Sequence, residues 1–369
     1  MQVTLRPQGR TLEARADEPI LDAALRAHVN LPHSCKGGNC GSCRARLVSG
    51  EVRSPRGAPL GLTTDEVGRG YVLLCQARAV TDVVVEAREI RRVTDVEIKS
   101  LPCRVERLER LAPDVMALFL RLPAVEDFHF AAGQYLDVML ADGRRRSFSI
   151  ASPPQDAGLL ELHVRRVSSG EFTVHVFETM QPGALLRVEG PLGQFVYREP
   201  DTGLVEGAAP LPVAAPPGAS AASTTGTPAI LVAGGTGFAP IKSILRHVLE
   251  TGGRRPLHLY WGARHEVDLY EDAWVRERVE RFPQFRYTPV LSMPAGDEGS
   301  RHRTGLVHEA VIEDHPDLSK AEVYAAGPPA MIAALREHLP ARGLAGERLY
   351  FDSFEYAPDA LARMKGNAT

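Results

Sequence analysis

No apolar run in this 369-residue chain reaches the 18 or so residues that a helix needs to cross a bilayer. No membrane partner is expected, and the first seven residues carry no hydrophobic signal segment, so the expected location is cytoplasmic. Net charge is also small: 43 Lys and Arg against 46 Asp and Glu leave −3. There is no global field to attract nucleic acid or an anionic surface, and neither is expected as a partner. Cysteine is scarce, with five in all, four of them consumed by a single pattern, which argues against a disulfide framework. What the chain has is length: 369 residues exceed one compact core and predict two or three domains, with an ordinary apolar content of 44%.

The cysteine pattern is the strongest feature. Cys35, Cys40 and Cys43 follow a C-x4-C-x2-C spacing on one loop, and Cys75 follows after a gap of 31 residues. Three thiolates on a glycine-rich loop and a distant fourth are the ligand arrangement of a plant-type 2Fe-2S centre. Gly37, Gly38 and Gly41 let such a loop wrap with its N–H groups turned toward cluster sulfurs. A structural zinc site would instead bring two short-spaced pairs. Residues 1–90 thus resemble plant-type ferredoxins, and the surrounding order agrees. A hairpin is predicted over 2–15, a helix over 17–28 with Ile20, Leu21, Ala24 and Leu25 at helical spacing, and strands over 45–48 and 82–87. Lys36, Arg44, Arg46, Arg53 and Arg56 make a basic rim opposed only by Glu51 between positions 36 and 56. It reads either as a solvated face or as steering for an acidic partner. Cys103 lies outside the pattern and is expected to be buried in a later strand.

After a charged connector over 91–101, strands over 115–122 and 133–140 with an Asp142-Gly143 turn predict a small antiparallel barrel. Arg146-Ser147-Phe148-Ser149 follows and resembles the Arg-x-Tyr-Ser flavin motif of the ferredoxin-NADP reductase superfamily. The resemblance implies that Arg146 forks onto the FAD pyrophosphate, Phe148 packs on the isoalloxazine, and Ser149 reaches the flavin N5 region as a catalytic residue. Phe148 stands where tyrosine is usual and gives up one hydroxyl contact. The strand over 160–167 would line the pocket with His163, Val164 and Arg165, His163 through its backbone. Gly170-Glu171-Phe172-Thr173 then opens a helix and matches the second flavin motif, Gly-x-x-Ser/Thr, whose helix N-terminus suits a diphosphate. Residues 190–195 match the family's barrel-closing segment.

Residues 201–227, rich in Ala, Pro, Ser and Thr, read as a flexible insertion. The apolar run 229–233 reads as a buried parallel strand, and Gly235, Thr236 and Gly237 form a turn where a pyrophosphate can meet backbone N–H groups before a helix over 241–249. Alternating strands and helices continue to Gly327 and Pro328, predicting a doubly wound parallel sheet. Gly327-Pro328-Pro329-x-Met331 resembles the family's nicotinamide motif, with Ala326 in place of its cysteine. Near the end, Phe354 is the candidate aromatic cover for the flavin ring.

The fold expected is therefore multidomain, α+β and α/β. It combines a β-grasp ferredoxin domain over 1–92, an antiparallel FAD-binding β-barrel over 100–200, the insertion over 201–227, and a doubly wound NAD(P)H-binding domain over 228–355. The resemblance, which extends to reductase components of bacterial oxygenases and to CDP-6-deoxy-glucoseen reductases, implies electrons passing from NAD(P)H through FAD to the 2Fe-2S cluster. The electron-accepting protein would be an oxygenase component or a deoxysugar dehydratase. A subunit that binds flavin and cluster without oxidising nicotinamide is the reading from another class, to which Ala326 lends support. NADH is favoured over NADPH, because Glu266 and Asp268 beside Arg264 would repel a 2′-phosphate.

Overall fold

The computed structural model describes residues 1–354 except 8, 28, 30, 32, 34–37, 39–40, 42, 56, 58–60, 63, 88–97, 125–127, 168–169 and 199–226. It divides into two units, one comprising Met1–Asp95 with Asp352–Glu355, the other Val96–Phe351 with Tyr356–Thr369. The insertion predicted over 201–227 lies outside the described residues except for Thr227. Among the described residues, no helix is long and apolar enough to cross a membrane.

In the first unit, Gln2–Arg6 and Arg10–Glu13 form the opening hairpin, with Val3 opposite Leu12. Alternation drives this pairing, since Val3, Leu5 and Leu12 all point into the core. Gln2–Arg6 runs parallel to Val83–Glu86, which pairs antiparallel with Arg44–Ser49, and Tyr71–Leu73 closes that edge of a five-stranded mixed sheet. The helix Ile20–Arg26 buries Ile20, Leu21, Ala23 and Ala24, the apolar stripe that its spacing anticipates.

The second unit holds two six-stranded sheets. The first is antiparallel, in the order Arg145–Ser149, Tyr135–Met139, Leu185–Leu192, Lys99–Ala112, Val115–Arg121, Leu159–Arg165. The expected barrel is not closed by a ladder: its two end strands are joined only by the bridge between Ile150 and Leu162. The Ala151 N–H still reaches the Glu161 carbonyl, at 2.7 Å. Pro153 and Pro154 then follow, and with no N–H to donate they end the pairing beyond Ser152. The Lys99–Ala112 strand begins inside the stretch that reads as a connector. Its alternate residues Leu101, Cys103 and Val105 are buried beneath a charged outer face.

The second sheet runs Arg303–Thr304, Phe285–Leu291, Leu257–Ala263, Ala229–Gly234, Glu322–Gly327, Leu349–Ser353. Its first five strands pair in parallel, and every residue of Ala229–Gly234 is buried, as a central parallel strand requires. The helix Phe238–Glu250 begins three residues before the predicted start at 241, because the Gly235–Gly237 turn runs directly into it. Pro240 is tolerated there because the first-turn N–H groups of a helix have no intrahelical acceptor.

Candidate functional site

Of the four predicted cluster ligands, Cys43 and Cys75 are described, and Cys35 and Cys40 lie outside the described residues. Both described thiols are buried, at 2% and 6% exposure, with no disulfide. The Leu74 N–H donates to the Cys43 carbonyl at 3.0 Å, so residues 31 positions apart in sequence become neighbours. A Cβ at Gly38 would come within 2.8 Å of the Gln76 side chain, so that loop glycine lies against the residue next to Cys75. The Gln76 amide donates to Cys75 Sγ at 3.7 Å. Shielded sulfurs with an N–H donor nearby are a donor set that fits an iron–sulfur cluster. Cys103 is different in kind, since burial pushes its thiol up to about 12 and no second cysteine accompanies it among the described residues.

The proposed flavin residues lie on the two end strands of the antiparallel sheet, Arg145–Ser149 and Leu159–Arg165, and at the start of the helix Glu171–Glu178. The pleat sets Arg146 and Phe148 on one face of Arg145–Ser149, and the Phe148 ring lies 5.5 Å from that of Phe172. Ser147 is on the other face and donates to Asp137 at 2.5 Å. Ser149 is buried at the strand's end, paired with Tyr135. Gly170 caps the helix Glu171–Glu178, and the Thr173 hydroxyl ties the preceding turn together, accepting from the Val167 N–H and lying 3.1 and 3.0 Å from the Val167 and Gly170 carbonyls. The Glu171 carboxylate accepts from Arg144 at 2.6 Å, leaving the helix N-terminus itself for an anion. Phe354 follows the last strand and is partly buried.

The two nicotinamide motifs meet backbone to backbone. A Cβ at Gly237 would lie 1.9 Å from the Ala326 carbonyl oxygen, and one at Gly327 would lie 3.0 Å from the Gly234 Cα. Pro328 packs on Gly234 in the same way, within 2.7 Å of its Cβ position. Above this contact lies Arg165, whose guanidinium is 3.6 Å from where a Gly235 Cβ would sit. Its Nε and one terminal nitrogen are buried without a hydrogen-bond partner, and its ion contact with Asp114 is long, at 3.4 Å. A cation held over a glycine turn with donors unused fits a dinucleotide phosphate.

Three families match the chain in order. They are the 2Fe-2S iron-sulfur cluster binding domain over residues 3–80, the oxidoreductase FAD-binding domain over 102–197, and the oxidoreductase NAD-binding domain over 231–337. The CDP-6-deoxy-L-threo-D-glycero-4-hexulose-3-dehydrase reductase of Yersinia pestis is 36% identical, covering 96% of this chain and 98% of its own. The chain belongs to the ferredoxin-NADP reductase superfamily. Within that superfamily, terephthalate 1,2-dioxygenase reductase component 1 of a Comamonas species is 32% identical, covering 92% of this chain and 93% of its own. The crystal structure of the Amycolatopsis cytochrome P450 reductase GcoB superposes with a TM-score of 0.74 at 31% identity, covering 96% of this chain and 99% of that one. The chain is accordingly a reductase with 2Fe-2S, FAD and NAD-binding domains, an NAD(P)H-dependent oxidoreductase.

One part of this reductase escapes a reading of its motifs. Lys242 is 5% exposed, and its ammonium donates to Glu161 at 2.8 Å and to Glu271 at 2.7 Å. His163, predicted to serve through its backbone, also uses its ring: Nε2 lies 2.9 Å from Glu161 Oε1 and Nδ1 lies 2.9 Å from the Tyr270 hydroxyl. Burial raises the Glu161 carboxyl, but His163 and Lys242 outweigh it and hold the group at about 2. Burial pushes the Tyr270 phenol well above its ordinary range, so it stays protonated beside His163. The donor atoms of Glu161, His163 and Glu271 lie within 4.8 Å of one another, a metal-like spacing whose cation is the ammonium of Lys242. A signal for Lys242 did exist: with Phe238, Leu245 and Leu249 it falls on the buried stripe of its helix, where a lone charge demands a partner.

Proposed function

We propose that electrons enter this chain from NADH, collect on FAD, cross singly to a 2Fe-2S cluster held by Cys35, Cys40, Cys43 and Cys75, and leave to an oxygenase component. The observation that carries the route is the contact of Arg165, on the strand assigned to the flavin, with Gly235 in the turn assigned to the nicotinamide dinucleotide. Bound FAD would accept one hydride, two electrons together, and the cluster would take them one at a time, which makes the flavin the two-to-one converter. The residues of the chain bind and orient. Arg146 and the Gly170–Thr173 turn meet the flavin diphosphate, Phe148 backs the ring, Ser149 faces its N5 region, Arg165 with Gly235, Thr236 and Gly237 receives the nicotinamide pyrophosphate, and Gly327 and Pro328 seat the nicotinamide. Phe354 is assigned to the cover of the flavin ring.

NADH is preferred because Glu266, three residues past the end of the Leu257–Ala263 strand, draws Arg301 to itself at 2.7 Å. Asp297 accepts from the same guanidinium at 3.2 Å, so that cation is already engaged and a 2′-phosphate would meet carboxylates instead. An oxygenase acceptor draws support from the Comamonas dioxygenase reductase component and from the P450 reductase. A second reading, delivery to a CDP-deoxysugar dehydrase, draws on the 36% identity to the Yersinia reductase.

The test is anaerobic addition of NADH to the loaded protein, followed by visible absorbance and electron paramagnetic resonance. Flavin bleaching together with a reduced-cluster signal is expected. An unchanged flavin would overturn the route in favour of a subunit that oxidises no nicotinamide. Mixing the reduced protein in turn with an oxygenase component and with a sugar dehydrase, and recording which one re-oxidises the cluster, decides between the acceptors.

A further inference from the structure

We propose that the buried chain Tyr270–His163–Glu161–Lys242–Glu271 is the lock that sets the approach of nicotinamide to flavin, with Lys242 as its positioning residue. The five residues join three separate parts of the fold. Glu161 and His163 belong to the Leu159–Arg165 strand of the antiparallel sheet, which also carries Val164 and Arg165. Lys242 belongs to the helix Phe238–Glu250, which is continuous with the Gly235–Gly237 turn. Tyr270 and Glu271 come from the segment just before the helix Asp272–Arg281. The network therefore ties the strand that carries flavin residues to the helix that begins at the nicotinamide turn.

Its hydrogen bonds are continuous. The Tyr270 hydroxyl lies 2.9 Å from His163 Nδ1, His163 Nε2 lies 2.9 Å from Glu161 Oε1, and Lys242 donates to that same oxygen and to Glu271 Oε1. Both ring nitrogens of His163 are thereby engaged. The side chain of His163 is 0% exposed and that of Lys242 is 6% exposed, and aromatic rings wall the site. Phe238 stacks on Trp261 at 3.9 Å and 11°, while Tyr270 stands edge-on to Trp261 at 5.1 Å. In such surroundings a shared ammonium holds two carboxylates far more stiffly than it would at a surface, and removing it leaves two buried like charges. Hydride transfer depends steeply on approach, so a lock of this kind acts on rate more than on affinity.

The contacts nearest the network lack this character. Arg246–Asp156 is solvent-accessible, and the bond from the Ser243 hydroxyl to the Ser152 carbonyl is a single neutral link, so neither can substitute. The buried Arg255, which donates to the Arg198 carbonyl at 3.3 Å, ties the segment after Leu185–Leu192 and reaches neither Glu161 nor Lys242.

The experiment compares the native full chain, loaded with FAD and cluster, with Lys242→Met, Lys242→Arg and Tyr270→Phe. For Lys242→Met, flavin reduction by NADH in anaerobic stopped flow should slow at least tenfold, while the dissociation constant for NAD+ changes less than threefold. The long-wavelength charge-transfer absorbance with NAD+ should weaken in parallel. Calorimetry, which needs no turnover, should find Val96–Phe351 unfolding in one transition in the native chain and in two in the variant. Lys242→Arg, which keeps a cation between the carboxylates, should recover at least a third of the native rate. If Lys242→Met does not fold, Tyr270→Phe carries the test, with a threefold to tenfold slower reduction expected. A reduction rate within twofold of native in whichever variant folds, with one calorimetric transition retained, overturns the lock. Failure of the native protein itself to bleach would count against the route instead, and the calorimetric result would still decide the lock.

Discussion

At the scale of single residues, the informative side chains are those whose polar atoms are left with work to do. Arg165 buries two guanidinium nitrogens without a hydrogen-bond partner beside a glycine turn, an arrangement that is costly unless an anion completes it. Arg165→Met keeps the apolar stem and removes the fork. A charge-assisted hydrogen bond contributes about 1.5–3 kcal/mol, so the variant should bind NAD+ at least about tenfold more weakly in a fluorescence titration. Its melting temperature should change little, because the ion contact it gives up, with Asp114, is long and partly exposed. Cysteine chemistry was legible from spacing alone, since ligand order along a loop is a property of sequence. The Lys242 network was not. Glu161, His163 and Arg165 alternate with Leu160, Leu162 and Val164, and this pattern reads as a strand with one wet face. The supposedly wet face is covered by the nucleotide-binding domain, a tertiary fact that no period-two pattern contains.

At the scale of elements, the starts and stops of strands followed from alternation and turn residues, while the misreadings have local causes. Lys99–Ala112 was obscured by Pro102 and by its outward charges. Closure of the flavin-domain sheet depends on how Arg145–Ser149 meets Leu159–Arg165, a long-range pairing that alternation within each strand does not reveal. The Gly234–Gly237 turn, by contrast, was visible as a glycine cluster, and its geometry sharpens the reason. Gly237→Ala would drive a methyl to within 1.9 Å of the Ala326 oxygen and 2.4 Å of its carbonyl carbon, main chain on both sides of the contact. We expect a loss of about 3 kcal/mol in the nucleotide-binding domain, read as a fall in its thermal midpoint. The strand Leu257–Ala263 carries a further consequence. His258 bonds to the Thr288 hydroxyl at 2.9 Å and faces Tyr260 and His315, with Asp314, Arg286 and Arg303 nearby. Burial, reinforced by His315, lowers it to about 4. It stays neutral in the folded domain, whereas the unfolded chain takes up a proton below about pH 6.5. Stability is therefore complete above that value and lost as pH falls toward the folded value. Urea unfolding should show about 1–2 kcal/mol less stability at pH 5 than at pH 7, after allowance for the exposed part of the ring, and His258→Gln should flatten this slope.

At the scale of the whole molecule, a flavin that takes electrons in pairs and a cluster that takes them singly make the cluster the last station before the acceptor. That order can be tested by removing the cluster alone. Cys75 sits in the first unit and packs in its core, while Arg146, Phe148 and Arg165 belong to the second unit, which has its own buried clusters. Cys75→Ser should therefore lose the reduced-cluster resonance and leave flavin content intact. NADH should bleach the flavin of the variant at close to the native rate, and ferricyanide, which can take electrons from the flavin directly, should still be reduced at half the native rate or more. Cytochrome c, a one-electron protein acceptor, should fall at least tenfold. Equal loss with both acceptors would mean that the flavin is not independently competent. Equal retention would mean that electrons leave from the flavin and bypass Cys43 and Cys75. Only a split between the two acceptors is compatible with a chain in which the thiolate loop, the first pattern to emerge from the sequence, is the exit of an electron path that begins at the glycine turn some two hundred residues later.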